Sequence, residues 1–292
     1  MAADKKGSKK ADKEAATKDS KKAKSPNTNT ETPEAAAKTP EATPDAARPS
    51  LPLFYSDPHA LTVERHGSKA IMSNADYSFA KDTNSVPMTA MEFSQAVRHY
   101  PIVFSAAAPV VPVAVLGLSG ARNQFVSGED GAWRAKTYIP AYVRRYPFIL
   151  MESPDKLQFT LCIDEAASHY GDEGNSLFEG DEASEICKKA LEFCSTYQGQ
   201  HSFTLEFTAT LEKYGLLVDN QAALTLTTGE KISLSGFRVI DEEKFTNLPD
   251  DVFLEWRKRG WIPLVYCHLL SMSNWQPMGD EIVSERNAAG TS

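Results

Sequence analysis

Apolar residues along this chain keep a helical or strand period in some stretches and are missing altogether in another. Residues 1–50 contain no Val, Ile, Leu, Phe, Trp, Tyr or Cys. With no apolar face to bury, the segment has nothing to offset the roughly 1–2 kcal/mol per residue that backbone ordering costs. It is expected to be a disordered tail. The first helical pattern comes at Thr89, followed three residues later by Glu92 in the spacing of a capping box. Phe93, Ala96, Val97 and Tyr100 then fall at i, i+3, i+4 and i+7. Pro101 disfavours helical geometry at Tyr100, so the helix should end there and a strand should begin at Ile102.

Strand signals dominate the next part. Ile102–Phe104 and Val113–Leu118 read as buried strands joined by a Pro-containing turn. Asn123–Ser127 and Ala132–Lys136 read as a hairpin around Gly128-Glu129-Asp130-Gly131. After a helical turn near Tyr142, Phe148–Met151 is a strand, and Leu157, Phe159, Leu161 and Ile163 alternate across the next one. Asp164–Asp181 reads as a long solvated acidic loop. Two amphipathic helices are then expected, one carrying Ala183, Ile186, Cys187, Ala190, Leu191, Cys194 and Tyr197, the other Phe203, Phe207, Leu211 and Tyr214, with Gly215 as a stop. Strands follow at Leu216–Val218, Ala223–Thr227 and Lys231–Leu234, then helices over Asp250–Arg259 and Ile262–Ser271. Strands and helices come in blocks rather than in regular alternation, which predicts an α+β fold: an antiparallel β-meander with packed helices behind the disordered tail. The domain is expected to span residues 51–280 and to leave 281–292 as a flexible end.

Charge sharpens the division between tail and body. The whole chain of 292 residues holds 31 Lys and Arg against 39 Asp and Glu, a net of −8. Residues 1–50 hold 11 against 8, a net of +3, so the remainder holds 20 against 31, a net of −11. A lysine-rich arm attracts nucleic acid electrostatically. Here Asp4, Asp12, Glu14 and Asp19 dilute the lysines and no aromatic residue offers a stacking platform, so a solubilising tail is the better reading and a nucleic-acid partner is not expected. The starting lysines are not followed by an apolar core segment, so Sec export is not expected either. Ile102–Leu118, the longest apolar stretch, is too short for a bilayer and is broken by Pro109 and Pro112. A cytoplasmic location is therefore expected, with surface association by a non-classical route left open, and the four cysteines are expected as free thiols.

Two segments repeat a local design: Val97-Arg98-His99-Tyr100-Pro101 before one strand and Val143-Arg144-Arg145-Tyr146-Pro147 before another. Cations in a last helical turn complement the helix dipole, which accounts for both structurally. If the two strands lie side by side, Arg98, His99, Arg144 and Arg145, helped by Trp133 and Tyr138, form an anion pocket instead. The acidic residues around His169 lack the spacing of a calcium loop or a zinc site, so no metal and no cofactor are expected. Cys187 and Cys194, seven apart on one helical face, read as core, as do Cys162 and the Cys267-His268 pair.

Several strings carry a resemblance to a known family: ADYSFA (75–80), EFSQAVRHYPIVF (92–104), PVAVLGL (112–118), GAWRAKTYIPAYVRRYPFIL (131–150), SLFEGDEAS (176–184), SGFRVIDEEKF (235–245) and YCHLLSMSNW (266–275). In these the chain resembles the bacterial SapC family over roughly residues 52–278. The resemblance implies a group with no established activity and no recognised catalytic residues, linked through one member to the paracrystalline surface layer. A transporter permease subunit shares the name, but the missing membrane helices set this chain apart from it.

Three functional readings of different class follow. The first is a non-enzymatic accessory or interaction protein, associated with the cell surface layer through an unknown protein partner. The second is a cytoplasmic protein or enzyme that binds an anionic small molecule at the Arg/His/Tyr pocket. The third is weak nucleic-acid association through the tail, which the acidic body opposes.

Overall fold

A computed structural model describes residues 51–72, 76–127, 130–152 and 158–289. The expected tail, Leu157 of one expected strand, and Gly128 and Glu129 of the hairpin turn lie outside the described residues. The fold is α+β, with antiparallel sheets and packed helices. A five-stranded sheet has the order Leu217–Thr225, Lys231–Ile240, Ile102–Ser105, Pro112–Val115, Ser85–Pro87. A second sheet sets Phe159–Asp164 between Pro58–Ala60 and Phe148–Glu152, which includes the meander expected in mid-chain. The apolar stretch Ile102–Leu118 contributes two paired strands, and no helix among the described residues is long and apolar enough to cross a membrane.

Side-chain alternation explains why the large sheet has a core face. Ile102 pairs with Ala114 and Val86 also pairs with Ala114, so these residues share a side with Phe104. All four are fully buried. Each such side chain contributes about 1.5–3 kcal/mol on leaving water, the alanine less.

Several elements differ from the sequence expectation. The two amphipathic helices are one helix, Glu185–Lys213. Gly199 lies in its middle and costs about 1 kcal/mol relative to alanine, a penalty too small to break a helix buried along its length at Cys187, Cys194, Tyr197, Thr204, Phe207 and Leu211. Two of the expected short strands join into Leu217–Thr225 through a bulge at Asn220 and Gln221. The expected acidic loop is not wholly solvated. Tyr170–Gly171 and Asn175–Ser176 both pair with Ala70–Ile71, while Asp164 and His169 are buried. Asp164 stays there because Ser56 N–H and Asp57 N–H donate to its two oxygens at 3.0 and 2.7 Å. The chain end also departs from a flexible segment: Trp275–Ala289 is a helix with Met278, Ile282 and Val283 buried. A Cβ on Gly279 would meet Leu226 Cδ2 at 3.1 Å, so glycine lets this helix lie close against the hairpin. The four cysteines are free, with Cys187 and Cys194 in the core.

The helix Trp261–Ser271 is fixed to the large sheet by a polar wedge. Phe237 and Arg238 pair with Ser105 and Phe104, and the same register carried two places further would set Ile240 opposite Ile102. His268 stands in that place instead. Its Nε2 accepts the Ile240 N–H at 3.0 Å and its Nδ1–H donates to Ile102 O at 2.7 Å. An amide can only donate, so Nε2 must be bare and Nδ1 must carry the proton. Ser271 Oγ, one turn on, accepts the Ile102 N–H at 2.9 Å.

This geometry excludes the charged imidazolium. Burial pushes the His268 pKa down from 6.5 to about 4, with the hydrogen bond to Ile102 opposing it. Between those values the unfolded chain binds more protons than the folded one. Stability that is complete above about pH 6.5 therefore falls as the pH drops towards 4, by roughly 3 kcal/mol in all. His268→Gln should be about 1–3 kcal/mol less stable at pH 7, because a buried backbone group loses its partner. The gap to the native protein should narrow as the pH falls, which urea midpoints from pH 7.5 to 4.5 will read. Parallel profiles for the two proteins would refute the wedge.

Candidate functional site

The capping box seen in the sequence is present, and it does more than start a helix. Thr89 caps the turn Ala90–Glu92, which runs into Phe93–Ala96. Glu92 reaches back so that its Oε2 accepts from Thr89 N–H at 2.7 Å and lies 3.0 Å from the Thr89 hydroxyl. Its Oε1 accepts from the Tyr138 hydroxyl at 3.0 Å and from Ala141 N–H at 2.6 Å. This buried carboxylate therefore holds together its own turn and the start of the helical turn Ala141–Arg144. The long helix joins them through Thr204, whose Oγ1 accepts from Ala90 N–H at 2.8 Å.

These three segments border an open cavity of about 150 Å³ lined by Glu92, Gln95, Tyr138, Arg144, Tyr197 and Gln200 among others. Arg144 is exposed at its side, with Nε donating to Ile139 O at 2.9 Å and Nη2 to the Tyr138 hydroxyl at 3.1 Å. Its guanidinium lies 5.5 Å from the Tyr138 ring centre and 5.1 Å from that of Phe193. Burial first, and then the charge of Glu92, push the Tyr138 phenol up to about 12. Burial likewise raises the Tyr197 phenol. Both hydroxyls keep their protons, and that of Tyr138 is donated to Glu92. Around the cavity, then, stand a guanidinium, phenols and amides, together with a carboxylate whose oxygens are already engaged by donors.

Of the six residues singled out in the sequence, Tyr138 and Arg144 line this cavity. Arg145 lies behind it. Its guanidinium sits 4.1 Å from the Tyr142 ring centre, 4.7 Å from that of Tyr197 and 5.6 Å from that of Tyr55, with Nε unpartnered. Tyr197 thus borders the cavity and also covers Arg145. Trp133 is buried elsewhere, stacked on Phe125 and edge-on to Tyr77. Arg98 is exposed and His99 half-buried, its pKa lowered by burial and then by Arg98. Neither touches Arg144 or Arg145 in any described contact. The strands that follow the two Tyr-Pro pairs belong to different sheets, so the side-by-side arrangement that would bring all four cations together does not arise. Glu92 was legible only as a capping residue, and Gln95, Phe193 and Gln200 carry no sequence signal of their own.

The two halves of the site should separate under mutation. Glu92→Ala leaves buried N–H groups of Thr89 and Ala141 without acceptors and should cost about 3 kcal/mol or more. Arg144→Ala removes an exposed side chain without an ion pair and should change stability by less than about 1 kcal/mol. Urea denaturation of both variants checks this.

Comparison with models of protein families matches residues 61–278 to the model described as SapC. No curated protein and no solved structure matches the chain. The match covers most of the chain, includes both Tyr-Pro segments and takes in every residue named around the cavity: the chain belongs to the SapC family.

Proposed function

We propose that the protein is a non-enzymatic accessory protein that binds an anionic small molecule or an anionic group of a partner at the Arg144 cavity. The observation that carries this reading is the state of its charges. Glu92 has both oxygens engaged by Thr89, Tyr138 and Ala141, so its charge is already compensated. Arg144 has no carboxylate partner among the described residues and commits only Nε and one Nη hydrogen to neighbours. The rest of its planar fork suits a carboxylate or phosphate. Gln95 and Gln200 add amide donors at the same cavity. The phenols at the cavity keep their protons, so neither serves as a base.

The surface-layer link implied by the family resemblance supplies a setting for this accessory role, and localisation tests it. The lysine-rich first 25 residues should be cut by trypsin well before the folded body. Clipping on intact cells supports a surface role, whereas clipping only after lysis moves the ligand search to cytoplasmic metabolites.

For the ligand itself, native protein purified from its own cells and then denatured should release an acid-bearing small molecule, identified by mass spectrometry. Arg144→Gln, equally stable, should come through the same purification without it. Equal yields from the two proteins would dismiss the cavity as the binding element.

A further inference from the structure

We propose that Asp57, His59 and Glu165 form a site for a divalent first-row transition metal ion, on the edge of the smaller sheet and independent of the Arg144 cavity. One ligand atom from each of the three residues lies within 4.8 Å of the others. The backbone explains the grouping. Asp57 and His59 are two residues apart at the strand Pro58–Ala60, so both project to the same side. Pro58 pairs with Asp164 of the neighbouring strand, which places Glu165 beside Asp57, and Glu165 N–H donates to Asp57 O at 3.1 Å.

The Asp57 backbone and the Glu165 side chain are also held by groups behind them, and for Glu165 this is the support that metal-binding side chains usually have. The Asp57 backbone is held by the buried Asp164, whose Oδ1 accepts its N–H at 2.7 Å. Glu165 is turned by the fully buried His66, whose Nε2–H donates to Oε1 at 3.1 Å, and by Arg65, which bonds to both oxygens. His59 Nε2 points at Asp57 Oδ1 from 2.9 Å. An ion bound by all three would take the place of the proton shared there. Tetrahedral ligands about 2.0–2.2 Å from zinc stand roughly 3.4 Å apart, so rotations of the exposed Asp57 and the half-buried His59 side chains bring the three ligand atoms to that spacing.

Arg65 is the competing cation. It engages Glu165 through hydrogen bonds that leave a lone pair on Oε2, so it is compatible with one Glu165–metal bond and serves to hold the carboxylate in place. One imidazole and two carboxylates suit zinc and its first-row neighbours better than calcium, which takes six or more oxygens. Three protein ligands on a partly exposed edge leave further coordination positions for water or a partner's side chain.

The test uses the full chain without an oligohistidine tag. Zinc titrated calorimetrically should bind one ion per chain, and cobalt should give visible d–d absorption on the same stoichiometry. His59→Ala and Asp57→Asn should each weaken zinc binding about tenfold or more, while His99→Ala, at a half-exposed histidine outside the cluster, should leave it unchanged. All three variants should melt with the native protein, because the altered side chains are not buried. Zinc affinity that is the same in the native protein and His59→Ala, or no saturable binding at all, overturns the site.

Discussion

Where the strands Ile102–Ser105 and Lys231–Ile240 part, buried backbone groups lose their ladder partners, and the way this gap is filled positions the helical half of the molecule. His268 supplies one acceptor and one donor in a single rigid ring, and Ser271 supplies a further acceptor one turn later. Without them the N–H of Ile240 and both polar groups of Ile102 would be unsatisfied in the core, at about 1–3 kcal/mol each. The wedge fixes the helix Trp261–Ser271 in both translation and rotation. The chain beyond it is then placed for Asn274 to donate to Val97 O and Tyr100 O, at 2.7 and 3.0 Å, which closes the end of the segment begun by the Glu92 capping box. The sheet seam and the Arg144 cavity are in this way two ends of one hydrogen-bonded connection.

The cavity depends on a similar pairing of buried polar groups. A buried carboxylate is costly unless its lone pairs are used, and Glu92 uses them to tie separate segments together. Adjacent arginines then take opposite roles, because neighbours in a helical turn point about 100° apart. Arg144 lies at the surface over Tyr138 and Phe193, while Arg145 turns inward among Tyr55, Tyr142 and Tyr197. No described carboxylate pairs with Arg145. The faces of its aromatic neighbours offset part of its desolvation, and the resulting cluster joins the segment at Tyr55 to the long helix.

Local signals determined a good deal of this protein. The Thr89–Glu92 spacing, the strand that reaches Ile163 and the Tyr-Pro exits into strands all appear in the structure where local pattern and backbone chemistry placed them, although burial along that strand rises towards Asp164 instead of alternating. The family too was readable from its strings, and its match to residues 61–278 agrees with them. These features depend on residues a few positions apart, whose interactions exist whatever the rest of the chain does. Other features needed the whole fold. Whether Gly199 breaks a helix, whether residues beyond 280 pack as one, and whether Arg98 meets Arg144 depend on which surfaces are buried against one another. His268, read from sequence as a core residue, acquires its bridging role only when Ile102 and Ile240, far apart along the chain, converge on it from either side of the seam. No local pattern encodes that meeting, because the groups that need a partner are backbone atoms, which every residue carries alike.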